Sequence, residues 1–366
     1  MMPHALADLA RRGIRLRSPR LGERRVRPGL RDLVPGTAGA PMGVPHGIVV
    51  LDKPAGITSR DAVDHACKRL KTREIGHCGT LDPLATGVLV LVVGRARRLQ
   101  ELLAKSRKVY GARIRLGATS VTDDAEGPIT VREPAPAPPT EELVLAAASR
   151  FVGEIEQRPP RYSAVKVDGE RLYDLARRGE GIDAPMRKVR VYDLKVTSYR
   201  WPDLELTVAS AGGTYVRSIA RDLGEVLGTG GYLAQLTRTE SGGFRLDEAT
   251  ALDALGPQHV LPLENALRHF PRVDIAAAQA GRLANGAAVK VDLPPLALQG
   301  DEHLFGWVNG HAVALLTRSG PQRVRSQRLL ITVEELEQLA NAEFAGGSGG
   351  PAPAGGGASY ADDERR

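Results

Sequence analysis

The residues best placed to do chemistry in this 366-residue sequence lie in one stretch, Gly76-His77-Cys78-Gly79-Thr80-Leu81-Asp82-Pro83-Leu84-Ala85-Thr86-Gly87. A single carboxylate, Asp82, stands among Leu81, Pro83, Leu84 and Ala85, with no sequence neighbour to neutralise it. Three glycines and a proline demand tight backbone turns, so the stretch reads as a loop feeding the apolar run Val88 to Val93, a buried strand. Asp before Pro commonly starts a turn by bonding its own backbone. The same acid in apolar surroundings is a reagent for nucleophilic attack or proton transfer. This stretch alone leaves both readings open.

A second constellation is His65, Cys67, His77 and Cys78, whose two imidazoles and two thiols form a zinc ligand set. Adjacent His and Cys lack the usual C-x2-4-C chelate spacing, so packed or polar residues are the simpler reading. A zinc-dependent enzyme acting on nucleic acid is the reading that metal would support. These two cysteines are the only ones, which argues against a secreted disulfide scaffold and for a reducing cytoplasm.

The elements that must position Asp82 follow from pattern. Gly47-Ile48-Val49-Val50-Leu51 reads as a strand turning at Asp52 to Gly56. A helix follows, capped by Thr58 or Ser59, with Asp61 in its first turn and Val63, Ala66 and Leu70 on one face. Lys68, Arg69, Lys71 and Arg73 make its end basic, either a phosphate-facing or a solvated face. Ala96 to Leu103 reads as a short helix. Val109 to Leu116 alternates as a strand with Tyr110, Ala112, Ile114 and Leu116 on one face. After the Pro-rich run Pro134 to Pro139, Thr140 caps a helix to Phe151. Glu170 to Arg178 reads as a helix ended by Gly179. Val189 to Tyr199 and Leu204 to Ser210 are strands of a mixed sheet. Tyr215 and Arg217 stand at the N-terminus of a helix running to Leu227, where free backbone donors favour anions. Leu233 to Thr239 resumes as a strand.

The whole chain sets the bounds. Its longest apolar run falls far short of the roughly 20 residues a membrane helix needs, so no spanning segment is expected. Fifty Lys and Arg against 43 Asp and Glu suit a polyanionic partner such as nucleic acid. Residues 1–44 form an Arg-rich, proline-broken leader without the apolar core of a secretory signal. It reads as a basic RNA-touching arm, a disordered leader, or sequence upstream of a true start such as Met42. The main unit is expected at 45–270 and a small β-rich unit at 271–335, with strands at Ala287 to Val291, Leu304 to Val308, Ala312 to Leu316 and Arg328 to Ile331. A disordered tail is expected at 343–366.

Five motifs carry a resemblance: Leu51-Asp-Lys-Pro-Ala-Gly-Ile-Thr-Ser59, the Gly76 to Gly87 stretch, Lys108-Val-Tyr110, Pro159-Pro-Arg-Tyr-Ser-Ala-Val-Lys166 and Gly213-Thr-Tyr-Val-Arg217. In this order, over Gly47 to Phe270, the chain resembles the bacterial TruB type of tRNA pseudouridine synthase. Cys78 and Thr80 vary within their motif while its chemical position is kept. The resemblance implies an α+β fold, a mixed and mostly antiparallel sheet flanked by helices (the pseudouridine synthase fold), with a small β-rich, PUA-like C-terminal domain that binds RNA. It implies an isomerase that converts uridine 55 in the T loop of tRNA to pseudouridine. The N-glycosidic bond breaks, the flipped uracil rotates, and C5 joins the sugar. Nothing is gained or lost, so no cofactor and no metal are expected, and no G-x-x-x-x-G-K-[ST] loop occurs.

By the same resemblance Asp82 is the carboxylate that acts on the uridine, at C1′, at C6 or on a C2′ proton. Arg217 pairs with it and would lower its pKa, which implies an ionised carboxylate at neutral pH. Tyr110 stacks on the flipped base and handles a proton at C5, Tyr215 and Leu236 occupy further pocket positions, and His77 fills the gap left in the RNA. The implied partner is the tRNA T-arm, with no membrane, no obligate protein partner and a monomeric enzyme. A non-catalytic RNA-binding protein or RNA chaperone on this scaffold would have lost Asp82, Tyr110 or Arg217, and all three are present.

Overall fold

The computed structural model describes residues 46–163, 165–167, 169–178, 184–293 and 303–345. The Arg-rich leader, Gly179 and all of the expected tail beyond 345 lie outside these residues.

The principal sheet is ordered Thr250–Ala251, Gly47–Lys53, Thr86–Val93, Gly231–Ser241, Lys108–Leu116, Asp203–Ser210, Arg187–Arg200, Gly153–Gln157. Pairings along it are antiparallel except for Gly231–Ser241 against Thr86–Val93 and Gly47–Lys53 against Thr250–Ala251. The architecture is therefore α+β with a mixed, mostly antiparallel sheet, as expected. The Asp82 loop joins the short strand Ile75–His77 to the central strand Thr86–Val93.

That central strand reads as an unbroken apolar run because both of its faces are covered. Val49, Leu51, Leu89 and Leu91 enter one core, while Ile48, Val50, Val88 and Val90 enter another. The first face carries the helices Ser59–Leu70, Glu141–Ser149 and Val216–Val226 through residues such as Val63, Val144 and Ile219. Thr58 caps the first of these in a reciprocal capping box with Asp61. Thr140 caps the second, its side chain accepting from the Leu143 amide.

The second face is covered by Leu99, Leu103, Phe244 and Leu263 of the same unit together with the C-terminal unit. Phe305, Trp307, Ala312 and Leu330 join Ile48, Val88 and Val90 in one cluster, and Phe270 meets Phe305 edge to face at 5.3 Å. Arg95 pairs with Glu335, Arg98 donates to the Leu329 carbonyl, and Arg328 donates to the Arg98 carbonyl. This unit has its own five-stranded sheet, Arg272–Asp274, Leu304–Val308, His311–Gly320, Arg323–Leu329 and Val289–Lys290 in that order, and its own core around Val273, Val313, Val324 and Leu336.

Several boundaries differ from the sequence reading. The strand expected at Arg328 to Ile331 runs from Arg323 to Leu329, because exposed Arg323 and Arg325 flank the one buried residue, Val324, and hide its alternation. The strand expected at Ala287 to Val291 is only Val289–Lys290. The C-terminal unit, expected to end at 335, continues through the helix Val333–Ala345, which seats Leu336 in its core. Residues 343–345, assigned to a disordered tail, belong to that helix. The helix expected over Glu170 to Arg178 begins only at Leu172, since Glu170–Arg171 pair with Lys166–Val167. A hairpin of Ala118–Ser120 and Ile129–Val131 went unread, because both strands are only three residues long and the second buries neither face.

Candidate active site

Asp82 is held by the backbone of its own loop first. The Ala85 amide donates to the Asp82 carbonyl at 3.0 Å, the turn that Asp-Pro foretells. Ser59, at the start of the helix Ser59–Leu70, accepts from the Leu81 amide at 2.8 Å and donates to the Leu81 carbonyl at 3.0 Å. Lys53 is fully buried, and its ammonium donates to the carbonyls of Pro54 and Ile57 at 2.7 Å and to Pro83 at 3.4 Å. The Gly56 amide also donates to the Pro83 carbonyl, at 2.8 Å. Two of the matched motifs are thus stitched together at the residue after the carboxylate.

Arg217 comes from the helix Val216–Val226, 135 positions away in sequence, and its side chain is 5% exposed. Its Nε lies 3.0 Å from one Asp82 oxygen and its Nη2 donates to the other at 3.1 Å. Nε makes that approach as an ion pair without a hydrogen bond, while both η nitrogens have further partners. Nη1 reaches Asp124 at 3.2 Å and the Thr122 carbonyl at 3.1 Å, and Nη2 reaches the Tyr162 carbonyl at 3.1 Å. One guanidinium therefore gathers two carboxylates from separate loops, a geometry that Lys could not reproduce.

The electrostatic outcome corrects the sequence expectation. Arg217 was expected to lower the Asp82 pKa, but the net shift is upward. Burial is the largest cause, and the Asp124 carboxylate adds to it; Arg217 and Lys53 pull the other way without winning. The Asp82 side chain is still 31% exposed, so the acid faces an opening while its flanks are dry. Burial likewise lowers the Lys53 ammonium to about 8.

Leu81 and Ala85, which flank Asp82 in sequence, belong to one packed core with Tyr110 and Leu236. Leu236 stands opposite Ala112, and Tyr110 opposite Arg238, in the pairing of Gly231–Ser241 with Lys108–Leu116. Tyr215 is the residue preceding the Arg217 helix. Gln157 holds it by accepting from its amide at 2.8 Å and donating to its carbonyl at 3.0 Å, and its ring packs on the small cluster of Val165 and Leu172. Burial raises its phenol pKa, with Arg217 and Asp82 close enough to act on it.

The structure thus brings Asp82 and Arg217 into direct contact, puts Tyr110 and Leu236 in the same packed core as the loop's Leu81 and Ala85, and sets Tyr215 within electrostatic reach. His77 stands apart. It ends the strand Ile75–His77, burial lowers its pKa, and the charges acting on it are Arg238 and Arg60. The four-residue metal constellation separates: Cys67 packs against one face of the sheet and Cys78 lies in the core on the other. Burial pushes the Cys78 thiol to about 12. Among the described residues no group of three or more His, Cys, Asp or Glu is placed to hold a metal.

Residues missed by sequence reasoning do much of the positioning. Asp124 sits on the hairpin turn, 3% exposed, accepting from Thr122 Oγ1 at 2.5 Å and from the Glu126 amide at 3.1 Å. Its neighbour Asp123, at φ 61°, pairs with Arg221 at 2.7 Å. The acidic turn Thr122-Asp-Asp-Ala-Glu126 was the available signal. Lys108 Nζ is buried and donates to the carbonyls of Leu103, Ala104 and Ser106 at 2.9, 2.6 and 2.7 Å. Burial lowers that ammonium to about 7.

Residues 68–216 match the model of the TruB family pseudouridylate synthase N-terminal domain. The chain is 43% identical over 292 residues to tRNA pseudouridine synthase B of Mycobacterium sp. (strain KMS), covering 78% of this chain and 96% of that protein. It is 43% identical over 256 residues to the protein of that name from Trichormus variabilis, covering 68% of this chain and 87% of that one. Among solved structures, the Cbf5-Nop10-Gar1 complex contains a chain similar to this one at 24% identity and a TM-score of 0.62, covering 80% of this chain and 87% of that one. This last likeness speaks to the fold.

Proposed function

From the premise that this chain belongs to the TruB family of tRNA pseudouridine synthases, we propose that Asp82 is the group that acts on the target uridine and that the target is uridine 55 in the T loop. The enzyme is an isomerase that converts uridine in tRNA to pseudouridine. In that reaction the N1–C1′ bond breaks, a C5–C1′ bond forms, N1 gains a proton and C5 loses one. The balance closes without a redox partner or a donated group.

One observation carries the reading of Asp82: a carboxylate on a loop fixed at both sides is gripped through both oxygens by a buried Arg217, with Leu81 and Ala85 of that loop in the packed core. The geometry serves attack at C1′, attack at C6 or removal of a C2′ proton. In each case Arg217 orients the oxygens, and the raised pKa makes the carboxylate a stronger base than a solvated one. A base stacked in an RNA loop must be flipped out to reach it. Tyr110 then stacks on the extruded uracil and handles the C5 proton, and Leu236 and Tyr215 occupy further positions of the pocket. His77, set apart from the carboxylate, fills the gap in the RNA stack. The exposed cations Lys68, Arg69, Lys71 and Arg73 meet phosphate. The C-terminal unit acts as a PUA-like RNA-binding module. The enzyme works as a cytoplasmic monomer with the tRNA T-arm as its partner; among the described residues no helix is long and apolar enough to cross a membrane.

The test is incubation of the full chain with an unmodified tRNA transcript labelled at uridine C5, alongside Asp82→Asn. The expected result is release of one C5 label per tRNA, pseudouridine mapped to the T loop, and no product from the variant. Equal product from Asp82→Asn refutes the assignment, and product at another position refutes the substrate site.

A further inference from the structure

Arg238 is a cation without an anion. It is 1% exposed and forms no ion pair among the described residues. Its guanidinium instead donates to three backbone carbonyls: Nε to Val88 at 2.6 Å, Nη2 to Gly79 at 3.0 Å and Nη1 to Thr80 at 3.4 Å. Gly79 and Thr80 begin the loop that carries Asp82, and Val88 lies in the strand that leaves it, Thr86–Val93. The Arg238 backbone holds the same place, lying opposite Gly87 on one side and Tyr110 on the other. Gly87 adopts φ +97°, and a Cβ there would stand 2.3 Å from the Arg238 carbonyl oxygen, so only glycine permits this approach.

A buried cation matched only by carbonyl dipoles is an expensive way to join two segments. An apolar side chain could fill the space, but it could not bond both stems of the loop. A lysine presents a point charge on a flexible stem and cannot reproduce the planar fork.

We infer that Arg238 is a positioning residue for the isomerisation: it clamps the entry and exit of the Asp82 loop to the strand that carries Leu236 and faces Tyr110, so that the carboxylate and the walls of the base pocket keep one fixed separation. The inference rests on Asp82 being the reacting group. Displacing a reacting group by about 1 Å costs on the order of 100-fold in rate. Arg217, Asp124 and Lys53 are the charges that act most strongly on Asp82, and Arg238 is not among them. Loss of the Arg238 fork therefore lowers the rate without moving the pH at which Asp82 ionises.

The test uses Arg238→Lys and Arg238→Gln in the full chain, the second removing the unpaired buried charge. Single-turnover release of C5 label, tRNA affinity and thermal unfolding are measured across pH 5 to 9, with Asp82→Asn alongside. The expected result is a folded variant whose maximal rate falls roughly 10- to 100-fold, with tRNA affinity within about threefold and the acid limb unmoved. Hydrogen exchange at amides 79–88 rises in the same variant. Wild-type rate in either folded variant overturns the inference, as does a shifted acid limb. Loss of the fold in both variants also overturns it, in favour of a purely structural bond. If Asp82→Asn retains full activity, the assignment of Asp82 has failed; if Asp82→Asn is inactive and Arg238→Lys is unimpaired, only the role of Arg238 has failed.

Discussion

Replacing Arg217 with Gln separates the charge of the guanidinium from the simple presence of a donor. Arg217 holds both Asp82 oxygens at 3.0 and 3.1 Å. Two unit charges at about 4 Å attract by about 4 kcal/mol at an effective dielectric of 20 and by about 1 kcal/mol in water. With 31% of the Asp82 side chain exposed, an intermediate value of about 2 kcal/mol applies. At 1.36 kcal/mol per decade that is roughly a 30-fold change in the ratio of ionised to protonated Asp82. Removing a cation that favours the charged form raises the pKa, and the Asp124 carboxylate, deprived of its own partner, acts in the same direction. The acid limb of kcat/KM for C5-label release must move to higher pH, and at a fixed pH on that limb the rate falls roughly 30-fold. The loss of orientation persists above the limb, so alkaline pH restores only part of the activity. An acid limb that stays in place or moves to lower pH refutes the claim that Arg217 sets the ionisation of Asp82.

Three further outcomes follow from the same geometry. Because burial raises the Asp82 pKa above its ordinary value, the native chain binds the extra proton and its stability falls as pH rises through the folded value. The melting temperature of Asp82→Asn relative to wild type therefore climbs as pH rises above the ordinary carboxylate range, and a difference that shrinks there contradicts the direction of the shift. Lys108 is shifted the other way, to about 7, so the unfolded chain binds more protons above that pH. The stability of wild type relative to Lys108→Met rises between pH 7 and the ordinary lysine range by up to about 1.4 kcal/mol per pH unit, and a flat difference in denaturant titrations would show that the ammonium stays charged. Gly87→Ala forces a Cβ to 2.3 Å from the Arg238 carbonyl at a φ of +97°, and it is expected to lose about 2–3 kcal/mol in chemical unfolding, whereas Gly169→Ala, with open space around it, costs only the backbone strain.

What could be read in the sequence was local. The Asp82 turn, the apolar run after it, the Thr58 and Thr140 caps and the alternation around Tyr110 all depend on neighbours within a few positions, where propensity and period are informative. Arg217 and Asp82 lie 135 positions apart, and their pairing came only from the resemblance. Asp124 and Arg238 escaped because an acidic turn and a strand arginine look like ordinary surface residues until the fold buries them. The sign of the Asp82 shift escaped for the same reason. Sequence shows the charges available to an acid but not how much water the folded chain takes away from it.

The apolar side chains that the principal sheet turns toward the C-terminal unit have a consequence for how the two parts relate. With Phe305 and Trp307 in one packed cluster with Ile48, Val88 and Val90, the smaller unit is no detachable appendage; it helps cover a face that Leu99, Leu103, Phe244 and Leu263 also cover. The smaller unit and the sheet that carries the Asp82 loop therefore share one continuous packed interior.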